Sequence, residues 1–146
     1  MFGLMQDRSL MISGIITHAA RNHARTEIVS KNVDGSIHRT NYADLEQRAR
    51  RLAGALMAHG IQPADRVATL GWNGYRHLEL YYAISGMEAV CHTINPRLGG
   101  VDIGFIVNDA TDKILFAETS FAALVAELAP HISQSVQAIV FMCDRA

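Results

Sequence analysis

The chain has 146 residues, of which 49% are hydrophobic and 18% charged, and its formal net charge is −1. This length corresponds to about one domain, and the composition is typical of a globular protein and excludes a disordered one. The balanced charge excludes the broad basic surface of an electrostatic nucleic-acid binder, and no apolar run reaches the length of about 18 residues that a membrane span needs.

The first part of the chain, residues 10–40, predicts a helix followed by a β-hairpin. A helix is expected over 10–22, because apolar residues at 12, 15, 16, 19 and 20 cover one broad face. Two runs of β-favouring residues then flank Asp34-Gly35, which is a strong hairpin signal. The apolar run near the N-terminus is short and is broken by Ser13 and Gly14, so it predicts this helix rather than a signal peptide.

From residue 41 to residue 146, predicted helices and strands alternate. Asn41 is expected to cap a helix that carries Asp44 in its first turn and ends at Gly60. Further helices are expected from the Asn73-Gly74 turn to Gly86, over 101–108, and from Phe121 to near Pro130. Strands are expected over 66–71, 89–94, 113–117 and 138–142.

Short apolar strands that alternate with helices predict an α/β fold, with a mostly parallel sheet and helices on both faces. In the helix that ends at Gly86, Leu78, Tyr81 and Tyr82 form an apolar stripe that Leu80 and Ile84 widen. The tyrosines at 75, 81 and 82 are, at this helical spacing, more typical of a core than of a binding surface.

Ligands of such sheets bind beyond the carboxyl ends of the strands, so the loops after the strands are the place to look for a site. None of these loops contains the GxGxxG or GxxxxGK[ST] phosphate cradle. Gly99-Gly100 is the nearest approach to one, and a flexible turn is the simpler interpretation of two adjacent glycines.

The histidines and cysteines do not form a recognisable constellation. His77 and Glu79 match the start of a deaminase H-x-E motif, but no Pro-Cys-x-x-Cys follows. His92 lies in an apolar strand, where a satisfied imidazole is expected more than a ligand, and its neighbour Cys91 should point to the opposite face. Cys91 and Cys143 have apolar neighbours, so we expect both thiols to be buried. Two cysteines are too few for a disulfide framework, which favours a cytoplasmic location. We therefore expect no catalytic, cofactor-binding or metal-binding residue in this chain.

Three stretches, 41–68, 72–98 and 109–121, together resemble the N-terminal region of the adenylate-forming (AMP-binding) superfamily. Within that superfamily they are most similar to medium- and long-chain fatty-acyl-CoA ligases. The most specific piece is the string HTINPRL at 92–98, supported by the Tyr-x-x-Leu start of the helix at Tyr42. Ala64, where the family usually has glycine, and Gly99-Gly100 depart from the pattern.

The resemblance implies a partial large domain of the adenylate-forming fold, with residues 1–146 as its N-terminal subdomain segment. Complete enzymes of this kind use ATP, Mg²⁺ and CoA to activate a fatty acid. Their phosphate loop, adenine and ribose motifs and catalytic lysine have no counterpart in this sequence. We therefore expect a truncated, inactive scaffold that binds none of these cofactors. Without the remaining strands of such an enzyme, its last strands should leave unpaired edges, which predicts a homodimer or self-association through those edges. Two alternatives remain: an independent α/β module that binds a small ligand, and a catalytically dead interaction domain.

Overall fold

The computed structural model describes residues 3, 4, 7 and 9–143. Helix α1 spans Ile12–Asn22, and strands β1 (Glu27–Lys31) and β2 (Ile37–Asn41) pair antiparallel. At the hairpin turn, Gly35 has φ +85°, and the Ser36 backbone N–H donates to an Asp34 carboxylate oxygen at 2.9 Å. The predicted helix and hairpin are confirmed.

Helix α2, Tyr42–Ala58, begins and ends as the sequence indicates. The Asp44 backbone N–H donates to the Asn41 side-chain oxygen at 2.9 Å, which satisfies one of the unpaired donors of the first turn. Gly60 has φ +86°, a left-handed conformation that favours glycine after a helix.

The remaining elements form a four-stranded, wholly parallel sheet with the strand order β4-β3-β5-β6. Their bounds are β3 Arg66–Leu70, α3 Tyr75–Gly86, β4 Val90–Thr93, α4 Gly100–Ala110, β5 Ile114–Glu118, α5 Ala122–Ile132 and β6 Ala138–Met142. A short 3₁₀ turn, Thr119–Phe121, precedes α5. Strands β4 and β6 form the two edges of this sheet.

The sheet has a hydrophobic core on each face, as predicted. Alternate residues of the central strand β5 divide between the two cores: Ile114 and Phe116 pack with residues of α2 and α3, whereas Leu115 and Ala117 pack with residues of α4 and α5. This alternation follows from the two-residue period of a strand. None of the helices in the described part of the chain is long and apolar enough to cross a bilayer.

Three details of the sequence prediction are wrong. Helix α5 continues through Pro130 to Ile132, because Ile132 is buried in the core and its burial outweighs the backbone hydrogen bond that proline cannot make. Cys143 is exposed and Cys91 only half-buried, since both lie on or just beyond an edge strand.

The third difference is the buried face of α3. Tyr81 is exposed, and Leu78 and Tyr82 are only partly buried, so the middle of the predicted stripe does not face the core. The prediction is confirmed for the other three residues, which are buried: Tyr75, Leu80 and Ile84. The buried residues are Tyr75, Glu79, Leu80, Ala83 and Ile84. The buried face of α3 therefore includes a carboxylate, which a purely apolar pattern could not reveal.

Candidate functional site at the carboxyl edge of the sheet

The turn between β3 and α3 lies at the carboxyl edge of the parallel sheet. Gly71 is buried at the end of β3, and a Cβ atom there would lie 2.7 Å from the terminal methyl group of Met142. The side chain of Met142, at the end of β6, therefore packs directly against the backbone of this turn. Helix α3 then starts after Gly74 without a side-chain cap.

Glu118, the last residue of β5, ties this turn to the next loop. Its carboxylate accepts a hydrogen bond from the Trp72 backbone N–H at 3.0 Å. The Trp72 ring also packs on Phe121 with a centroid separation of 5.2 Å. The loops that leave the two central strands are thus held together by one polar and one aromatic contact.

Two adjoining clefts open between this edge and the hairpin. The first has a volume of about 240 Å³ and is lined by Lys31, Asn32, Val33, Trp72, Asn73, Gly74, Tyr75, Arg76, His77, Glu118 and Met142. The second, of about 510 Å³, shares Asn73, Gly74 and His77 with the first and adds Ser30, Leu78, Tyr81 and Thr93. The position matches the ligand-binding edge of parallel α/β sheets, and the lining offers hydrogen-bonding groups of both charge signs.

His77 is the imidazole that borders both clefts. Its Nε2 lies 3.0 Å from the hydroxyl oxygen of Thr69, which is fully buried. The same hydroxyl is hydrogen-bonded to the Cys91 thiol. Burial raises the pKa of Cys91 to about 11, more than the Thr69 hydrogen bond lowers it, so this thiol is a weak nucleophile at neutral pH.

The sequence pair His77 and Glu79 does not form a joint site. Glu79 is buried and accepts hydrogen bonds from Arg48 of α2, at 2.5 Å to Nε and 3.1 Å to Nη2. Across the part of the chain that the structure describes, no group of three or more His, Cys, Asp or Glu side chains could hold a metal ion.

His92 lies away from the carboxyl edge and has a partner that the sequence did not reveal. Its Nδ1 is 2.7 Å from Oδ2 of Asp112, a fully buried carboxylate whose other oxygen has no hydrogen-bond partner. Burial raises the pKa of Asp112, and the hydrogen bond from His92 opposes this shift. The two residues are 20 positions apart, so spacing alone could not pair them.

The amino edge of the sheet is held by structural ion pairs and hydrogen bonds. Lys113 donates to Asp65 at 2.7 Å, and this bond, with the Gln62 backbone N–H, holds the pKa of Asp65 below its ordinary value. Arg66 donates to the Ala110 carbonyl oxygen at 2.6 Å. These charged residues join β3 to β5 and to the end of α4.

The Gly99-Gly100 pair starts helix α4 instead of forming a free turn. A Cβ atom on Gly100 would meet Leu124 at 3.5 Å and Leu128 at 3.9 Å, so Gly100 lies against α5, whereas a Cβ atom on Gly99 would meet only Asp102 of α4. Neither glycine has a positive φ. Gly100 is thus part of the contact between two helices.

Comparison with known proteins identifies the family. Residues 16–145 match the family model described as AMP-binding enzyme. The chain is 47% identical to a 3-methylmercaptopropionyl-CoA ligase of Ruegeria lacuscaerulensis, over 99% of this chain and 27% of that protein. It is 43% identical to a medium-chain-fatty-acid–CoA ligase of Ectopseudomonas oleovorans, over 97% of this chain and 26% of that protein. It therefore spans about a quarter of the length of these curated relatives.

Solved structures give the same result for the fold. A fatty acyl CoA synthetase of Mycobacterium tuberculosis superposes with a TM-score of 0.81 at 25% identity, covering 90% of this chain and 26% of that one. A putative long-chain-fatty-acid CoA ligase of Rhodopseudomonas palustris superposes with a TM-score of 0.80 at 26% identity, covering 95% and 34%. The chain belongs to the AMP-binding enzyme family, and its fold is that of the N-terminal part of adenylate-forming acyl-CoA synthetases.

Proposed function

We propose that the whole protein is an ATP-dependent acyl-CoA ligase that converts a fatty acid to its acyl-adenylate and then to the CoA thioester. ATP, Mg²⁺ and CoA would be its cofactors. The observation that carries the proposal is the match of nearly the whole chain, at 43–47% identity, to relatives named acid–CoA ligases. The superposition on fatty acyl-CoA synthetases supports the same reaction class.

For the 146 residues themselves we propose the role of scaffold, as the N-terminal segment of a larger adenylation domain. The loops after the strands carry no glycine-rich phosphate cradle. The two contacts to buried carboxylates, Arg48 with Glu79 and His92 with Asp112, join secondary-structure elements to one another. We therefore assign no catalytic, cofactor-binding or metal-binding residue to this segment.

The proposed substrate is a medium- or long-chain fatty acid, and a short thioether acid is the second candidate. Relatives named for medium-chain and long-chain fatty acids are 43% and 44% identical to this chain. Two relatives named for 3-methylmercaptopropionate are 47% and 44% identical. All these substrates present the same carboxylate to ATP, and only the group attached to it differs.

The test uses the product of the complete gene, with ATP, Mg²⁺ and CoA and with decanoate, palmitate and 3-methylmercaptopropionate in turn. Thioester formation is followed as loss of free CoA thiol. We expect turnover with a fatty acid. Turnover with 3-methylmercaptopropionate but with neither fatty acid would show that the short thioether acid is the substrate. The absence of any turnover would favour a catalytically dead interaction domain.

We also propose that the 146-residue segment by itself associates through the edges of its parallel sheet and that the protein resides in the cytoplasm. Strand β6 presents Val140 and Phe141, each 39% exposed, at one edge. Unpaired backbone groups beside exposed apolar side chains are a template for strand pairing. The two cysteines are free thiols, which fits a reducing compartment.

A further inference from the structure

We draw no further inference here: the strongest candidate, the groove between α4 and α5 beside the exposed side chains of Val101 and Phe105, lies on a segment that spans about a quarter of its relatives' length, and nothing in the structure shows what covers it in the complete protein.

Discussion

Replacing His92 by leucine should leave a buried carboxylate without a partner. Asp112 is fully buried, one of its oxygens already lacks a hydrogen bond, and the other is satisfied by His92 Nδ1 at 2.7 Å. Removing one partner of a buried charged pair costs about 3–5 kcal/mol. The His92 side chain is 24% exposed, so water can reach part of the vacated space. We therefore expect a loss of about 2–3 kcal/mol in the free energy of unfolding.

Removing the carboxylate together with the histidine should recover part of this loss. In the double variant His92→Leu/Asp112→Ala the unpaired carboxylate is gone, so the double variant should be more stable than His92→Leu alone. Urea denaturation at neutral pH measures His92→Leu, Asp112→Ala and the double variant together with the wild type. His131→Leu, which changes an exposed histidine of α5, is the control and should stay within about 0.5 kcal/mol of wild type.

Acidification gives an independent check of the same reasoning. Burial raises the pKa of Asp112, so the folded state favours the protonated carboxyl. At neutral pH the ionised carboxylate therefore lowers the free energy of unfolding, and this loss disappears as pH falls through the raised pKa. The deficit of His92→Leu should therefore shrink at mildly acidic pH. The reasoning is refuted if the effects of the two substitutions add or if the deficit does not change with pH.

Three further substitutions or reactions test other parts of the fold. Arg48→Met leaves the buried carboxylate of Glu79 unpaired and should lower the free energy of unfolding, measured with urea, by about 1–3 kcal/mol. Arg50→Met breaks only an exposed pair within α2 and should lower it by under about 0.5 kcal/mol. Equal losses would contradict the role given to Glu79. Leu115→Ala in the central strand β5 should cost about 2–5 kcal/mol, and Phe105→Ala on the exposed side of α4 about 0.5 kcal/mol or less. Iodoacetamide at neutral pH should alkylate exposed Cys143 at least about a hundredfold faster than half-buried Cys91, since the raised pKa of Cys91 leaves little thiolate. Peptide mass spectrometry measures both rates, and similar rates at the two cysteines would mean that the pKa of Cys91 is not raised.

The sequence predicted the elements of this fold well because its local signals agree with one another. Asn41 and Gly60 delimit α2 by cap chemistry, and Asp34-Gly35 fixes the hairpin, all within a few residues of the backbone they control. The alternation of strands and helices then restricts the topology to a parallel sheet. Both faces are covered as that pattern requires.

What the sequence did not reveal depends on contacts between distant residues. Glu79 and Asp112 are of residue types that usually lie on the surface, and their burial is explained only by their partners Arg48 and His92 on other elements. Pro130 ends a helix by local rules, yet the burial of Ile132 extends α5 past it. The clefts at the carboxyl edge likewise join the hairpin to the turn after β3, which are some 40 positions apart.

The most direct test of the central claim is ATP–pyrophosphate exchange, measured on the 146-residue chain and on the complete protein with the same fatty acid. The proposed ligase should exchange label only as the complete protein, because the segment supplies framework and no phosphate-binding loop. Exchange catalysed by the 146-residue chain alone would contradict the claim, since it would require an ATP site within these residues.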